Sequence, residues 1–329
     1  MPLVSLSRRA SLAALLALLI LPTVTHAQPA WPSKPITLIV PFSAGGNVDT
    51  TARLIAQRLQ ERLKQSVVVE NIAGAGGLVG VQRAVQAAPD GHTLVMAFDG
   101  PIAITKYINP AAVRFDPSTD LLPVALTTTA PMVLVARNSL GVDSMDALVA
   151  LARKDPGRLS YATSGVGTVL HLAMEMVKER AKIFAVHIPY RGGAQIASDV
   201  IGGQVDLAMM VSVSATPHVQ AGRMKALAVT GPQRLPTLPN VPTLTELPLF
   251  KGLVVESWTG VFAPKGTPAA ILDRLHNEIA AVLAEPEVRA KLADGGAQVG
   301  RGDRASFARF IAAEQARFEK IVRAANIKE

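Results

Sequence analysis

The sequence predicts an α/β fold in which mainly parallel strands alternate with helices. Short apolar runs and amphipathic stretches follow one another along most of the 329 residues, a pattern typical of parallel sheets with helices on both faces. Several apolar runs end at glycine-rich turns that lead directly into a helical pattern. A chain of this length usually divides into two domains, so we expect two such sheets.

Nine strands are predicted from the apolar runs. Between the first two strands, apolar residues recur at helical spacing from Ala52 to Leu63, which predicts an amphipathic helix capped by Asn47 or Asp49. After Pro268 two more helices are expected, with breaks at 285–286 and 295–296. The predicted strands are Ile36–Val40, Val67–Val69, Thr93–Ala97, Met132–Ala136, Leu159–Ala162, Ala185–Ile188, Val205–Met210, Ala226–Thr230 and Gly260–Ala263.

The first 27 residues have the pattern of an export signal. Arg8 and Arg9 precede a short apolar run, Ala10–Leu21, and Thr25 and Ala27 are the small residues at the −3 and −1 positions of a cut after Ala27. The apolar run is too short for a transmembrane helix, which needs about 20 residues. We therefore expect residues 1–27 to be removed and the remaining chain to be exported in soluble form.

The composition favours an exported protein that binds anions. The chain has no cysteine, so an exported form has no disulfides and depends on its core for stability. Its formal charge is +8, but the basic residues are scattered and aromatic residues make up only 4%. This distribution disfavours nucleic-acid binding. The positive balance instead favours encounter with small anions.

Glycine-rich turns follow four of the predicted strands. They are Ser43–Asn47 and Gly74–Gly80 in the first half, and Ser164–Thr168 and Pro189–Gly193 in the second. The first amides of a helix are unpaired and carry the positive end of its dipole, so a helix that starts at such a turn attracts an anion. Ligands of α/β proteins bind at the carboxyl ends of strands and at domain boundaries. Two facing sheets would therefore hold a small acidic molecule between four helix starts.

Dinucleotide binding, nucleophilic catalysis and metal binding fit the sequence less well than the binding of a small ligand. The glycines from Gly74 to Gly80 resemble a dinucleotide fingerprint, but the third falls one residue late and no ribose-binding acid follows in the right context. Ser164 is not part of a G-x-S-x-G nucleophile pattern. His171 and Glu175 share a helix face, but two ligands do not make a metal site. We therefore predict no catalytic residue, metal or cofactor, and no enzyme.

A series of short motifs resembles one known family when the motifs are taken in order. Each motif is weak alone, but the series spans the whole chain after the signal segment. It resembles the substrate-binding proteins of tripartite tricarboxylate transporters, the Bug family. The matching segments are Trp31–Ile36, Pro41–Gly46 with Asp49, Asn71–Gly80, Asp90–Leu94, Ala162–Gly165, Pro189–Gly193, Gly202–Asp206, Trp258–Pro264 and Thr267-Pro268.

The resemblance implies a two-domain periplasmic binding protein of type II, which closes on its ligand like a Venus flytrap. Members bind small carboxylates, including amino acids, dicarboxylates, citrate-like acids and aromatic acids, and deliver them to membrane permease subunits. The chain is expected to be a periplasmic monomer with no nucleic-acid partner. Crossings at Thr127–Pro131 and near Glu256–Thr259 would make residues 28–128 with 254–329 domain 1, and residues 129–253 domain 2.

The expected ligand site combines the family positions with the residue-based interpretation. The resemblance implies that backbone amides and bridging waters of the first-domain loops hold the ligand carboxylate. The predicted ligand-binding residues are Phe42, Ser43, Gly45, Gly46, Asn47, Asp49, Gly74, Ala75, Gly76, Gly77, Asp99, Ser164, Gly165, Gly167, Thr168, Arg191 and Asp206.

Two departures from the family pattern affect the expected ligand. Ser43-Ala44 replaces the usual proline before the paired glycines, which could shift backbone amides or add a hydroxyl. The third strand ends at Asp99 instead of a small polar residue. We hypothesise that Asp99 attracts the ammonium group of an amino acid or other zwitterion; alternatively, it caps the turn before Pro101.

The roles of three further side chains stay open in the sequence. Arg191 could clamp a distal carboxylate, bridge the domains, or pair with Asp199 or Asp206. Asp206 could hold an amino group or cap a loop, and Trp258 is expected to pack at the hinge. A periplasmic solute-binding protein is therefore the leading function. The alternatives are an exported carboxylate sensor without a permease and, less favoured, an exported enzyme.

Overall fold

A mixed sheet of ten strands runs through residues 31–324, the part of the chain that this computed structural model describes. The predicted signal segment, residues 1–27, lies outside the described residues. The strands are β1 (Ile36–Val40), β2 (Val67–Asn71), β3 (Thr93–Phe98), β4 (Leu121–Arg137), β5 (Ser160–Thr163), β6 (Val186–Pro189), β7 (Leu207–Val211), β8 (Met224–Val229), β9 (Glu256–Pro264) and β10 (Gln298–Val299). Their order is β2-β1-β3-β9-β4-β7-β5-β6, and β8 and β10 also pair with β4.

Helices cover both halves of this sheet. No helix between residues 31 and 324 has both the length and the apolar character that a bilayer crossing requires. A π-helical turn, Gly100–Ile104, leads into the short third helix. The helices are α1 (Asn47–Leu63), α2 (Leu78–Val85), α3 (Thr105–Ile108), α4 (Met145–Lys154), α5 (Val169–Ala181), α6 (Gly193–Ile201), α7 (Ser212–Gln220), α8 (Ala269–Ala284), α9 (Pro286–Asp294) and α10 (Arg304–Ala324).

Each half of the sheet contains three parallel strands. In the first, β1 lies between β2 and β3; in the second, β5 lies between β6 and β7. We call β1–β3 with β9 and their helices the first lobe, and β5–β8 with α4–α7 the second lobe. The predicted α/β class with parallel strands is confirmed. From Lys34 onward the chain forms one compact unit, and the boundaries 28–128, 129–253 and 254–329 stay a prediction.

Strand β4 passes from the first lobe into the second as one strand of 17 residues. Its first part, up to Pro131, pairs with β9, and its last part, from Met132, pairs with β7 and β8. The strand predicted at Met132–Ala136 was too short, because it starts at Leu121. The crossing predicted at Thr127–Pro131 lies inside this strand, just before its partner changes from β9 to β7 and β8. The threonine-rich stretch has no apolar alternation to mark it as a strand, but pairing with β9 satisfies its backbone.

Buried hydroxyl groups join β4 to β9 where the chain passes between the lobes. Thr127 Oγ1 donates to the carbonyl of Thr259 at 2.9 Å, and Thr259 Oγ1 lies 2.7 Å from the hydroxyls of both Thr127 and Thr128. All three residues are buried. Because each hydroxyl has a partner, these polar groups can be buried in the sheet without a large desolvation cost.

The second predicted crossing and the hinge tryptophan belong to β9. Residues 256–259 pair with residues 128–131 of β4 and do not form a loop. Trp258 is 1% exposed and packs edge-on against Phe307 and Phe310 of α10, with ring centroids 6.0 and 5.6 Å away. The predicted packing of this tryptophan is confirmed, and its place at a hinge stays a prediction.

Three helices, α8 to α10, follow Pro268, where two were predicted. Pro286 starts α9 because a proline at the first helical position loses no hydrogen bond. Gly295 and Gly296 end it, and β10 follows and pairs with β4. The chain then passes Gly300, whose N–H donates to the carbonyl of Thr127 at 2.8 Å.

Replacing Gly300 with alanine should destabilise the protein through this contact. An added Cβ would lie 2.2 Å from the carbonyl oxygen of Leu126 in β4, so the backbone of one segment must move. We expect Gly300→Ala to lower the free energy of unfolding by about 2–3 kcal/mol in urea titrations. The control is Gly222→Ala, where an added Cβ has no neighbour within 4 Å and only a positive φ of 67° opposes the change. Equal losses in the two variants would contradict the prediction.

Candidate functional site

Asp49 of α1 holds the first glycine-rich turn in place. Its Oδ2 accepts hydrogen bonds from the Gly45 N–H at 2.8 Å and Arg53 Nε at 3.0 Å, and its Oδ1 accepts one from Asn71 Nδ2 at 2.9 Å. Burial raises the pKa of Asp49, but these hydrogen bonds lower it by more, so the net pKa is below its ordinary value. The Asp49 carboxylate thus binds protein donors around the first glycine-rich turn.

The second glycine-rich turn, Gly74–Gly77, approaches the second lobe closely. The φ angle is positive at Ala75 (45°), Gly76 (58°) and Gly77 (94°), a region that favours glycine. A Cβ added at Gly76 would lie 2.7 Å from the carbonyl oxygen of Val166. Glycine is therefore required here for the approach of two backbones as well as for the turn.

The two lobes are in direct contact around these turns. The N–H of Ser43 donates to the carbonyl of Arg191 at 3.1 Å, and the hydroxyl of Thr105 donates to the carbonyl of Gly167 at 3.1 Å. A Cβ added at Gly192 would lie 3.2 Å from the Cβ of Ser43. These contacts enclose space between the lobes on both sides of the glycines.

A cavity, which we call the inner cavity, lies between the lobes near the strand ends. It has about 490 Å³ of atom-free space, part of it open to solvent. Most of its lining is apolar, and among the described residues none of those lining it carries a charge. The lining residues are Phe42, Gly46, Asn47, Val48, Phe98, Ser164, Leu170, Gly192, Gly193, Ile196, Met210, Val211, Ser214 and Ser257.

Four helices start at the inner cavity. The first turn of α1 contributes Asn47 and Val48, α5 contributes Leu170, α6 contributes Gly193, and α7 contributes Ser214. The unpaired N–H groups of these first turns carry the positive ends of the helix dipoles. Four helix starts at the ligand site were predicted from the sequence, but they included the helix after Gly77 and not α7. That helix, α2, starts instead beside a second cavity.

Asn47 lines the inner cavity and has a buried side-chain oxygen without a hydrogen-bond partner. The side chain is 9% exposed and its Oδ1 has no hydrogen-bond partner. The oxygen and nitrogen ends of a side-chain amide have nearly the same size, so the group can turn to accept from a ligand or to donate to one. A buried amide without a partner costs free energy, which a ligand with a matching polar group would recover.

The second cavity, which we call the outer cavity, lies at the contact between Gly76 and Val166, and both residues line it. It has about 720 Å³ of atom-free space and is also bounded by both lobes. The predicted site residues Ala75, Gly76, Gly165 and Arg191 line it. Arg191 therefore belongs to the outer cavity and does not line the inner one.

Asp99 is buried behind the wall of the inner cavity. Its Oδ2 accepts from the Ser257 hydroxyl at 2.9 Å and the Trp258 N–H at 3.1 Å. Oδ1 has no partner of ordinary geometry, although the N–H of Val169 is near enough to favour the ionised form. Burial above all, with a smaller contribution from the Glu314 carboxylate, raises the pKa of Asp99 to about 7. The acid expected to attract an ammonium group is thus fully buried and does not line the inner cavity.

Asp206 lies at the opposite edge of the sheet from the cavity. It precedes β7, whose last residue, Val211, lines the inner cavity, so the two positions are roughly 16 Å apart along the strand. Its carboxylate accepts from Ser160 N at 2.8 Å and from Arg137 Nε at 2.9 Å. Burial raises the pKa of Asp206, but these bonds lower it below its ordinary value. Asp206 therefore joins the ends of β4 and β5 and lines neither the inner cavity nor the outer cavity.

Thr168 and His171 organise the turn at the start of α5. Thr168 Oγ1 donates to the Gly165 carbonyl at 2.8 Å and accepts from the His171 N–H at 3.3 Å, which caps the helix. The rings of His171 and His187 stack with centroids 4.4 Å apart. Burial lowers the pKa of both rings, that of His187 to about 4. Between residues 31 and 324 no group of three or more His, Cys, Asp or Glu residues could hold a metal ion.

The remaining predicted site residues shape the loops around the cavities. Phe42, Gly46, Asn47 and Ser164 line the inner cavity. Ser43 and Gly167 make contacts between the lobes, and the N–H of Gly77 donates to the carbonyl of Gly74 at 2.9 Å. Most of the apolar wall, and the hydroxyls of Ser214 and Ser257, were not among the residues predicted from the sequence. The missed residues are Val48, Phe98, Leu170, Gly192, Gly193, Ile196, Met210, Val211, Ser214 and Ser257.

Solved structures of similar shape include a periplasmic binding protein and two proteins with bound carboxylates. The one described as periplasmic binding protein BugD has a TM-score of 0.86 at 31% identity and covers 91% of this chain and 100% of its own. The R. palustris protein Rpa4515 with adipate has a TM-score of 0.86 at 34% identity, with 90% and 98% covered. MatC from Rhodopseudomonas palustris with bound malate has a TM-score of 0.85 at 32% identity, with 89% and 100% covered. The fold and the interlobe cavity thus define a two-lobed solute-binding protein.

The chain belongs to the tripartite tricarboxylate transporter receptor family, whose model, described as "Tripartite tricarboxylate transporter family receptor", matches residues 51–327. Among curated proteins it is 38% identical to the UPF0065 protein in the tcbD-tcbE intergenic region of Pseudomonas sp. (strain P51). That match covers 97% of this chain and 95% of the relative. The family named from the sequence motifs is therefore confirmed.

The buried carboxyl of Asp99 should make stability depend on pH. The folded state keeps the proton of Asp99 up to a pKa of about 7, whereas the unfolded chain releases it near the ordinary aspartate pKa of 3.8. Stability from this group is thus fully present below about pH 4 and falls as the pH rises towards 7. Relative to Asp99→Asn, the unfolding free energy of the wild type should fall by on the order of 2 kcal/mol between pH 5 and pH 8 in urea titrations. Parallel pH profiles for the two proteins would refute this.

Asp206 should matter for stability and not for binding. Asp206→Ala leaves the N–H of Ser160 and the guanidinium of Arg137 without their acceptor. We expect the free energy of unfolding to fall by about 2–4 kcal/mol, while the dissociation constant of any bound acid changes less than about twofold by calorimetry. The exposed Asp143 provides the control, Asp143→Ala, which should change neither quantity. A loss of affinity in Asp206→Ala but not in Asp143→Ala would contradict the prediction and show that Asp206 contributes to ligand binding.

Proposed function

We propose that this protein is an exported solute-binding protein that captures a small carboxylate between its lobes and delivers it to a tripartite tricarboxylate transporter. The observation that carries the proposal is the inner cavity, enclosed by both lobes and faced by the starts of α1, α5, α6 and α7. Family membership and the carboxylates in two structural neighbours support the same function. The signal pattern of residues 1–27 supports export to the periplasm.

A carboxylate suits the inner cavity because the cavity supplies positive potential without a side-chain cation. Helix N-termini present N–H donors, and an anion accepts from them without further charge compensation. Asn47 and the hydroxyls of Ser164, Ser214 and Ser257 add polar contacts. Charge-assisted hydrogen bonds contribute about 1.5–3 kcal/mol each, so a few of them supply the roughly 8 kcal/mol of micromolar binding.

Among the predicted ligand-binding residues, we assign direct contact to those that line the inner cavity. Gly46 and Asn47 would present the first amides of α1, Phe42 would pack on the body of the ligand, and Ser164 would reach it from the second lobe. Asp49 and Thr168 hold their turns in shape. Loop-holding residues of this kind position donors without contacting the ligand.

Capture would follow from a shift between open and closed arrangements of the lobes. The hydrogen bonds from the Ser43 N–H to the Arg191 carbonyl and from the Thr105 hydroxyl to the Gly167 carbonyl form only when the lobes are together. A ligand that touches both walls of the inner cavity adds contacts that the open arrangement lacks, so it stabilises the closed one by that difference. The closed surface would then be the form that the permease recognises.

The proposed function can be tested by thermal unfolding with a panel of acids. The mature chain, unfolded and refolded to remove any co-purified ligand, is heated with aspartate, glutamate, succinate, citrate, nicotinate, benzoate or hexanoate. A ligand at about 100 times its dissociation constant adds roughly 2.7 kcal/mol, which shifts the melting temperature by several degrees. No shift with any acid, together with no binding by calorimetry at millimolar concentration, would overturn the proposal. Retention of permease subunits by the ligand-loaded protein, and not by the empty one, tests delivery.

Closure itself is tested at Gly192. Its backbone is extended (φ 172°, ψ 163°), so valine fits without strain, but its side chain would be inserted between the lobes against Ser43. We expect Gly192→Val to bind the acid at least about 10-fold more weakly and to lose the ligand-induced contraction of the wild type in small-angle scattering. Gly222→Ala is the control, because an added Cβ there has no neighbour. Wild-type affinity and contraction in Gly192→Val would show that closure does not use this contact.

A further inference from the structure

The inner cavity is poorly suited to a second negative charge. Seven apolar side chains form most of its wall: Phe42, Val48, Phe98, Leu170, Ile196, Met210 and Val211. Phe42 and Phe98 meet edge-on with ring centroids 4.8 Å apart, which gives this wall an aromatic corner. An apolar wall of this kind stabilises the hydrocarbon part of a ligand by about 25 cal/mol per Å² of buried area.

The charged groups near the cavity do not compensate a second carboxylate. Among the described residues, no lysine, arginine or histidine lines the inner cavity. The Asp99 carboxyl lies behind Ser257, so it adds no positive charge and repels an anion when ionised. Arg191 lines the outer cavity and does not line the inner one.

The polar groups that do line the cavity match one carboxylate. The helix starts provide N–H donors, and the side-chain amide of Asn47, nine-tenths buried at the first turn of α1, can donate from its nitrogen. The cavity therefore combines a site for one anion with an otherwise apolar volume. A charge placed in the apolar part would lose its hydration without gaining a partner.

We propose that this protein selects a monocarboxylic acid with an apolar body, aromatic or aliphatic, and discriminates against dicarboxylic and tricarboxylic acids. The acid group lies at the start of α1 beside Asn47, and the hydrocarbon body packs against Phe42, Phe98 and Met210. This proposal rests on the proposed function, because it assumes that the inner cavity is the ligand site. It replaces the expectation of a zwitterion at Asp99, since that carboxyl is already bound by Ser257 and Trp258.

Hexanoate and adipate make a matched pair for the test. They have the same six-carbon chain, and adipate differs by a second carboxylate at the far end. We expect calorimetry on the refolded mature protein to show that hexanoate binds at least about 30-fold more tightly than adipate. Benzoate should likewise bind more tightly than terephthalate, which carries a second carboxylate. Hexan-1-ol, which lacks the charge, should bind more weakly than hexanoate because the helix starts favour an anion.

The outcomes separate this proposal from the proposed function. Adipate binding as tightly as hexanoate would overturn the monocarboxylate proposal and leave the carboxylate-binding function intact. In that case, loss of adipate binding alone in Arg191→Ala would place the second carboxylate in the outer cavity. No binding of any acid in the panel would overturn both proposals. Hexan-1-ol binding as tightly as hexanoate would overturn the assignment of the acid group to the helix starts.

A pair of valine variants tests the apolar wall. Val48 lines the inner cavity, whereas Val79 on α2 is 49% exposed and lies outside it. Thr has nearly the shape of Val, so Val48→Thr adds a hydroxyl to the wall with little change in volume. We expect it to weaken hexanoate binding about 3- to 10-fold, and Val79→Thr to leave the affinity unchanged. Unchanged affinity in a folded Val48→Thr protein would contradict the assigned packing of the ligand body.

Discussion

The continuous pairing of β4 with β9 and then with β7 is the constraint on which the rest of the structure depends. Backbone N–H and carbonyl groups buried in a sheet must find partners, and β4 supplies them to both lobes in turn. Its crossing point contains the buried threonine hydroxyls of residues 127, 128 and 259. Because the two parallel sets of strands are joined through this strand, the carboxyl ends of β1, β5 and β7 are brought to the same cleft.

At that cleft the glycines serve two physical purposes that a sequence pattern does not separate. Some of them permit turns of positive φ, as at Gly76 and Gly77. Others allow the backbones of the two lobes to touch, as at Gly192, whose own backbone is extended and would accept any residue. A side chain at these positions would hold the lobes apart, so the same residues that shape each loop also permit the closed arrangement.

The acidic residues near the site are paired with protein donors instead of facing the cleft. Asp49 binds the Gly45 N–H, Asp99 binds Ser257 and Trp258, and Asp206 binds Ser160 and Arg137. This arrangement agrees with a site for an anion, because a free carboxylate at the cleft would repel the ligand. The positive potential comes from helix starts, whose charge is part of the backbone and needs no buried lysine or arginine.

The sequence by itself determined the alternation of strands and helices, the family, the glycine-rich turns and three of the four helix starts at the inner cavity. These are local properties, since apolar periodicity and turn residues act over a few positions. Only the tertiary structure decided which residues meet across the cleft. It paired the threonine-rich segment with β9, added Ser214 and Ser257 to the site, and placed Asp206 at the far edge of the sheet. The physical reason is that pairing order and burial depend on contacts between distant segments, which the residues of one segment do not specify.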